Sequence, residues 1–113
     1  MSNASVFDEA SPDLDKTFKE YDLSKPRVLL SHYPEMFDEA VKYSVLLQLS
    51  GHTHGGQLFW PLNLMTKNSN KGYLKGLYQK DNHYLYVSQG TGIWGGLPLR
   101  LGTRPEITEI ILK

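Results

Sequence analysis

The stretch Leu49-Ser50-Gly51-His52-Thr53-His54-Gly55-Gly56-Gln57 places two histidines one residue apart among glycines, directly after an apolar run. The chain has 113 residues, four histidines and no cysteine, so half of its imidazoles sit in this one stretch. Imidazole is the commonest side-chain ligand for transition metals, and His-x-His lets two rings aim at one ion or at two adjacent ones. Gly51 suits a sharp turn off a strand, and Gly55 and Gly56 suit unusual backbone angles and close approach of a ligand. A lone histidine is more often a core or surface imidazole than a ligand. The case for metal therefore depends on what the fold brings to His52 and His54.

Residues 27–31 (RVLLS) and 45–49 (VLLQL) have the short apolar pattern of buried strands. Between them, residues 34–43 (PEMFDEAVKY) read as a helix, with Pro34 at its start, Glu35 in its first turn and Met36, Phe37, Ala40 and Val41 on one face. A crossover of this length implies parallel, right-handed pairing of the two strands. Parallel strands deliver their following loops to the same sheet edge, where open α/β sheets place their sites. His32 follows the first strand, and His52 and His54 follow the second. Three histidines are thus expected to converge, which favours a metal centre over three unrelated imidazoles. Such a set suits a lone zinc with water in the fourth position, or the nitrogen half of a two-metal site whose oxygen ligands come from elsewhere.

The remaining elements frame this unit. Residues 11–21 read as an opening helix, with Ser11 as N-cap, Pro12 at the first helical position, Asp13 and Asp15 at the positive helix start, and Leu14, Phe18 and Tyr21 as its apolar stripe. Residues 57–60 read as a short strand and 61–71 as a polar loop. Residues 73–79 and 83–88 read as a hairpin turning at Lys80-Asp81-Asn82. Residues 90–102 form a glycine-rich loop, and 106–112 read as a closing strand.

Twelve basic and twelve acidic residues cancel, so no basic stripe points to nucleic acid and no acidic tail to a basic partner. The lack of cysteine excludes a disulfide scaffold and a thiolate zinc site. The length allows one domain or less. No apolar run is long enough to span a bilayer and the polar start is no signal peptide, so a soluble polypeptide is expected. Residues 1–4, Met1-Ser2-Asn3-Ala4, read as an expression-vector scar, so the natural protein is expected to extend upstream.

Leu30-Ser31-His32-Tyr33-Pro34, followed by Ser50-Gly51-His52-Thr53-His54-Gly55-Gly56-Gln57, closely resembles the last two metal motifs of the calcineurin-like metallophosphoesterases. The stretches Tyr86-Val87-Ser88-Gln89-Gly90-Thr91-Gly92-Ile93-Trp94-Gly95 and Arg100-Leu101-Gly102-Thr103-Arg104-Pro105-Glu106-Ile107 are similar to the C-terminal signature of a bacterial, often membrane-anchored branch. The resemblance runs from Arg27 to the chain end. It implies an α/β fold in which residues 5–113 form the C-terminal half of a two-sheet αββα sandwich, one β-α-β unit followed by mostly antiparallel strands. It also implies a hydrolase that cleaves phosphate mono- or diesters by metal-bound hydroxide, using two divalent ions (manganese, iron or zinc) roughly 3.5–4 Å apart. His32 and His52 would hold one ion and His54 the other, and Gln57 could orient a ligand from behind. Arg100 and Arg104 are candidates for gripping an anionic substrate, against a purely structural pairing. Trp94 could line a pocket or plug a core edge.

The sequence departs from the family pattern in one large respect. The earlier motifs Asp-x-His, Gly-Asp and Gly-Asn-His are absent, and the bridging carboxylate with them. Asp81-Asn82-His83 imitates the third, but it lacks the leading glycine, follows the His-x-His motif and falls in the expected turn. Tyr33 stands where many relatives have asparagine, which leaves the ligand His32 intact. The chain is therefore expected to be an inactive fragment, holding one metal or none, of a longer enzyme that is anchored at the bacterial cell membrane or otherwise cytoplasmic. The alternative is a non-catalytic metal-binding or interaction domain that keeps the histidines without acidic ligands. A complete three-histidine zinc hydrolase would need a general base, for which Glu35 is the one nearby choice. Phe59, Trp60, Leu62, Leu64 and Met65 make the loop up to Tyr73 unusually apolar. It would pack on the missing N-terminal half or touch a membrane surface, which would suit a lipid-like phosphate ester. A half domain also bares enough surface for self-association.

Overall fold

The apolar runs on either side of His32 become the first two strands of one sheet. The computed structural model describes residues 13–57, 61, 63–93 and 99–113. Strand β1 (Val28–Leu30) pairs in parallel with β2 (Leu47–Ser50), with Val28 opposite Leu47 and Leu30 opposite Leu49. The expected β-α-β unit is present. Its connection is less regular than a single helix: a 3-10 turn (Pro34–Met36), a short helix α2 (Phe37–Ala40) and a second 3-10 turn (Val41–Tyr43) follow one another. β-branched Val41 and aromatic Tyr43 are poor residues for prolonging an α-helix. Ser44, left-handed at φ 56°, ends the segment, and its amide donates to Val41 O at 3.0 Å.

Phe37 and Ala40 are fully buried and divide the core between them. Phe37 joins Tyr73, Leu85 and Val87, while Ala40 joins Leu14, Phe18, Leu29 and Val45. Truncating a fully buried phenylalanine such as Phe37 to alanine costs about 3–5 kcal/mol. Both clusters lie on the sheet face that carries Leu29, Gln48, Leu85 and Tyr78, which stand in register across four strands. On the other face Val28, Leu30 and Leu77 are exposed.

The opening helix α1 (Leu14–Phe18) starts later than expected. Ser11, Pro12 and residues 1–4 lie outside the described residues; the cap is Asp13, whose carboxylate accepts from Lys16 N at 2.9 Å. The expected hairpin is strand β3 (Gly76–Lys80) and strand β4 (His83–Val87), antiparallel and turning at Asp81-Asn82, with Asp81 at φ 51°. That turn disposes of Asp81-Asn82-His83 as a ligand motif. His83 instead donates from Nδ1 to Val45 O at 2.6 Å. Strand β4 then joins β2 in parallel, so the sheet is mixed, in the order β1-β2-β4-β3.

Two other expectations are corrected. Residues 61–71 are not simply a loop, because Leu64–Ser69 form helix α3. Its helix-compatible residues are hidden in a Pro- and Asn-rich composition, and Lys67 N donates to Asn63 O at 3.0 Å. Leu64 and Met65 on it are exposed; Phe59, Trp60 and Leu62 lie outside the described residues. Residues 106–112 form no strand. A strand needs a neighbour, and Ile107 stays 92% exposed with no ladder beside it among the described residues.

Candidate functional site

Strands β1, β2 and β4 run parallel, so the chain leaves all three at one sheet edge. A buried polar layer fixes that edge. Ser31 N donates to Leu49 O at 3.1 Å and Gly51 N to His32 O at 3.3 Å, which ties the loop after β1 to the loop after β2. Beneath them, fully buried Gln48 donates from Nε2 to Tyr33 O at 3.2 Å and to Ser50 Oγ at 2.9 Å. Ser31 Oγ adds a bond to the same Tyr33 O at 3.0 Å.

On this footing His52 Nδ1 lies 3.1 Å from His32 Nε2. The His52 ring also meets the Tyr33 ring edge-on, with centroids 4.5 Å apart. Burial pushes His52 below the ordinary imidazole range, and the neighbouring His32 and His54 add to the effect. The neutral ring, which is the form that ligates metal, is thereby favoured.

His54 takes another direction. Its Nδ1 stands 3.3 Å from Gly92 O. A carbonyl only accepts, so Nδ1 carries the proton and the lone pair sits on Nε2, the arrangement typical of a metal-binding histidine steadied by a backbone carbonyl. The structure thus brings His32 and His52 into contact, while His54 Nδ1 turns to Gly92 O of the glycine-rich loop. Among the described residues no group of three or more His, Asp or Glu side chains is arranged to hold one ion.

The backbone of the motif is bent hard. His52, His54 and Gln57 adopt φ of 66°, 49° and 56°, values uncommon for residues with a side chain, and Gly55 and Gly56 follow at 64° and 81°. Gly51, expected to make the sharp turn, has no positive φ and no neighbour within 4 Å of an added Cβ; His52 makes the turn instead. Gly55 and Gly56 have no such room. A Cβ on Gly55 would stand 2.7 Å from Gln89 Oε1, and one on Gly56 2.7 Å from Asn63 Cβ. The residue between the histidines holds the loop: buried Thr53 donates to Leu74 O at 2.5 Å and accepts from Gly55 N at 3.3 Å.

Gln57 is buried and lies in a bend, the rest of the expected strand, residues 58–60, lying outside the described residues; its carbonyl accepts from Leu101 N at 2.9 Å. Arg100 spends its guanidinium on backbone carbonyls, those of Gly92 at 2.9 Å, Gln89 at 2.8 Å and Gly90 at 3.3 Å. Its Nη1 donates to Arg104 O at 3.3 Å, while Arg104 itself is exposed. Trp94 lies outside the described residues. Sequence reasoning missed Gln48, Thr53 and Gln89. Gln89 packs on Gly55 and donates to Glu106 Oε2 at 2.9 Å, linking the histidine loop to the chain's last segment. The one available signal was Gln48, an amide in an otherwise apolar strand.

The donor set fits a divalent ion in part. Two nitrogens that each bind one ion at ~2.1 Å stand about 3.0–3.4 Å apart at ligand angles between square and tetrahedral. The 3.1 Å between His52 Nδ1 and His32 Nε2 falls in that range.

No family model matches the chain. No solved structure matches it either. Curated relatives do. An uncharacterized metallophosphoesterase of Helicobacter pylori is 43% identical over 104 residues, which covers 90% of this chain and 27% of that protein. The uncharacterized metallophosphoesterase YkuE of Bacillus subtilis is 39% identical over 105 residues, covering 91% of this chain and 36% of the relative. A transmembrane protein with metallophosphoesterase domain from Bos taurus is 41% identical over 104 residues, covering 89% and 23%. The chain spans about a quarter to a third of the length of these relatives.

Proposed function

This chain is homologous to metallophosphoesterases over 90% of its length, and on that premise we propose that it carries the histidine edge of a two-metal phosphoesterase site. The facing carboxylates belong to a part of the protein outside these residues. The observation that supports this reading best is the 3.1 Å approach of His52 Nδ1 to His32 Nε2 at the edge where three parallel strands end.

In this reading His32 and His52 grip one ion as neutral rings. His54, its Nδ1 proton held by Gly92 O, offers Nε2 to a second. When bound, divalent ions acidify a water and neutralise charge on the phosphoryl oxygens of a mono- or diester. Arg100 serves by fixing the loop that orients His54. Exposed Arg104 is then the better placed of the two arginines to meet an anionic substrate. The chain alone holds one ion or none and turns over no ester. Among the described residues no helix is long and apolar enough to cross a membrane. The name of the Bos taurus relative supports a membrane location for the whole protein, and such a location would suit a lipid-like ester.

Metal content, together with hydrolysis of p-nitrophenyl phosphate and its bis-ester, tests the proposal in this chain and in a longer protein that contains it. Two ions and turnover in the longer protein, with one ion or none and no turnover here, are the expected results. Robust metal-dependent turnover by this chain alone would overturn the division of the site. Metal binding without turnover in the longer protein would favour the non-catalytic binding role.

A further inference from the structure

A second concave region lies at the opposite end of β1. Arg27 immediately precedes that strand, whereas His32 follows it. Arg27 is 7% exposed, yet its Nε and Nη2 have no hydrogen-bond partner among the described residues. Nη1 is satisfied by Tyr43 O, and the guanidinium lies over the Phe18 ring, 5.5 Å from its centroid. Nε and Nη2 form one edge of the guanidinium, whose two parallel N–H groups match an oxyanion in bidentate fashion. A buried cation with two donors unpaired is costly, and folded proteins normally supply such a group with an acceptor.

Arg27 lines a cavity of ≈ 850 Å³, within the usual range for small-molecule sites. Lys16, Lys19 and Lys42 line it too, against two acids, Asp13 and Asp15. Both acids are engaged: Asp13 caps α1, and Asp15 accepts from the Tyr43 hydroxyl at 2.6 Å. Asp22, close enough to feel the Arg27 charge, is turned to Ser24, whose amide donates to it at 2.9 Å. No ion pair among the described residues uses any of the three lysines. The rest of the lining is mostly apolar, Leu23 and the stacked Phe18 and Tyr43 rings, centroids 5.7 Å apart, with Ser44 beside them.

We propose that this cavity binds a small organic oxyanion, a carboxylate or phosphate on an apolar or aromatic body, with Arg27 as its bidentate anchor. The lysines draw the anion in, and the Phe18–Tyr43 stack receives the apolar body. The unpaired nitrogens are buried from water in the free chain, so an oxyanion reaches them once a lining side chain moves aside. Leu23, 82% exposed at the rim, is the lining side chain with the most freedom to swing aside. The site stands apart from the histidine edge and does not depend on the phosphoesterase reading.

The test is calorimetry and NMR on this chain in metal-free buffer, with benzoate and phenyl phosphate as probes and benzamide as the uncharged control. Saturable binding below about 1 mM is expected for either anion, from two charge-assisted hydrogen bonds. The Arg27 Nε–H resonance should move, while the ring resonances of His32 and His52 stay in place. Arg27→Lys, which keeps the charge and loses the fork, should weaken binding roughly tenfold or more. Lys42→Glu on the exposed rim should weaken it severalfold. If Arg27→Lys fails to fold, the wild-type Arg27 resonance and Lys42→Glu decide the matter. Binding of benzamide as tight as benzoate, perturbation of the histidine rings in place of Arg27, or no saturable binding of either anion would overturn the proposal.

Discussion

His54 and Arg100 converge on one atom. The carbonyl of Gly92 accepts from His54 Nδ1 at 3.3 Å and from Arg100 Nε at 2.9 Å. The arginine reaches on to Gln89 O and Gly90 O, so one guanidinium gathers three carbonyls at the entry to the glycine-rich loop and sets the surface against which the His54 ring is placed. Arg100→Met should therefore lower unfolding stability by about 1–3 kcal/mol, the range for carbonyls that lose charged donors. Arg100→Lys should recover only part of this, because an ammonium cannot span three acceptors as the planar fork does. Urea denaturation of both variants checks it; an unchanged midpoint for Arg100→Met would remove Arg100 as the organiser of the loop.

The glycines of the motif should separate cleanly. Gly55 combines φ 64° with a Cβ position 2.7 Å from Gln89 Oε1. Gly55→Ala should cost about 1–3 kcal/mol from the backbone angle and the clash together. Gly51 has neither feature, so Gly51→Ala should change stability by less than about 0.5 kcal/mol. Thermal unfolding of the two variants side by side gives the comparison, and equal effects would contradict the geometry.

Gln48 should behave as a support for the histidine pair, acting through Tyr33 O and Ser50 Oγ. Gln48→Leu fills a similar volume but leaves Ser50 Oγ without the amide donor and Tyr33 O with Ser31 Oγ alone. A loss of about 1–3 kcal/mol is expected. The cross-peaks between the His52 and Tyr33 rings, now 4.5 Å apart, should weaken in NOE spectra. Intact cross-peaks would show that the pair is positioned by the backbone alone.

The last segment carries an acid-sensitive tie. Hydrogen bonds from Thr108 and Tyr86, with Gln89 adding to them, hold the Glu106 carboxyl down to about 2 from its ordinary 4.5. A group whose folded value is depressed contributes stability above the unfolded value and loses it as pH falls through the folded one. The tie should be fully present above pH 4.5 and fade toward about 2. Tyr86→Phe should raise the Glu106 value, read from its carboxyl carbon in an NMR titration. A titration centred near 4.5 in the wild-type chain would contradict the hydrogen-bond network.

What could be read from the sequence was whatever depends on local pattern. The strands around residues 28–30 and 47–50 and the hairpin at Asp81-Asn82 follow from apolar runs and turn chemistry, and their parallel pairing explains why His32 meets His52. The orientation of His54 depended on contacts at long range, with Gly92 O and through it Arg100, which no spacing rule contains. Thr53 looked like a filler between two histidines, yet its hydroxyl reaches Leu74 O, far along the chain. Residues 106–112 have strand-like residues, but pairing belongs to two partners, and only one of them is in the pattern. Helix α3 was hidden because its flanking Pro61, Asn63 and Asn70 dominate the composition.

The run of left-handed angles at His52, His54, Gly55, Gly56 and Gln57 has a kinetic consequence. Folding itself shapes this loop, and Thr53 and Gly92 keep it in place, so under the proposed reading an ion would meet a preorganised receptor. Capture then requires no rearrangement of the chain. Its rate should be set by how quickly the ion sheds water.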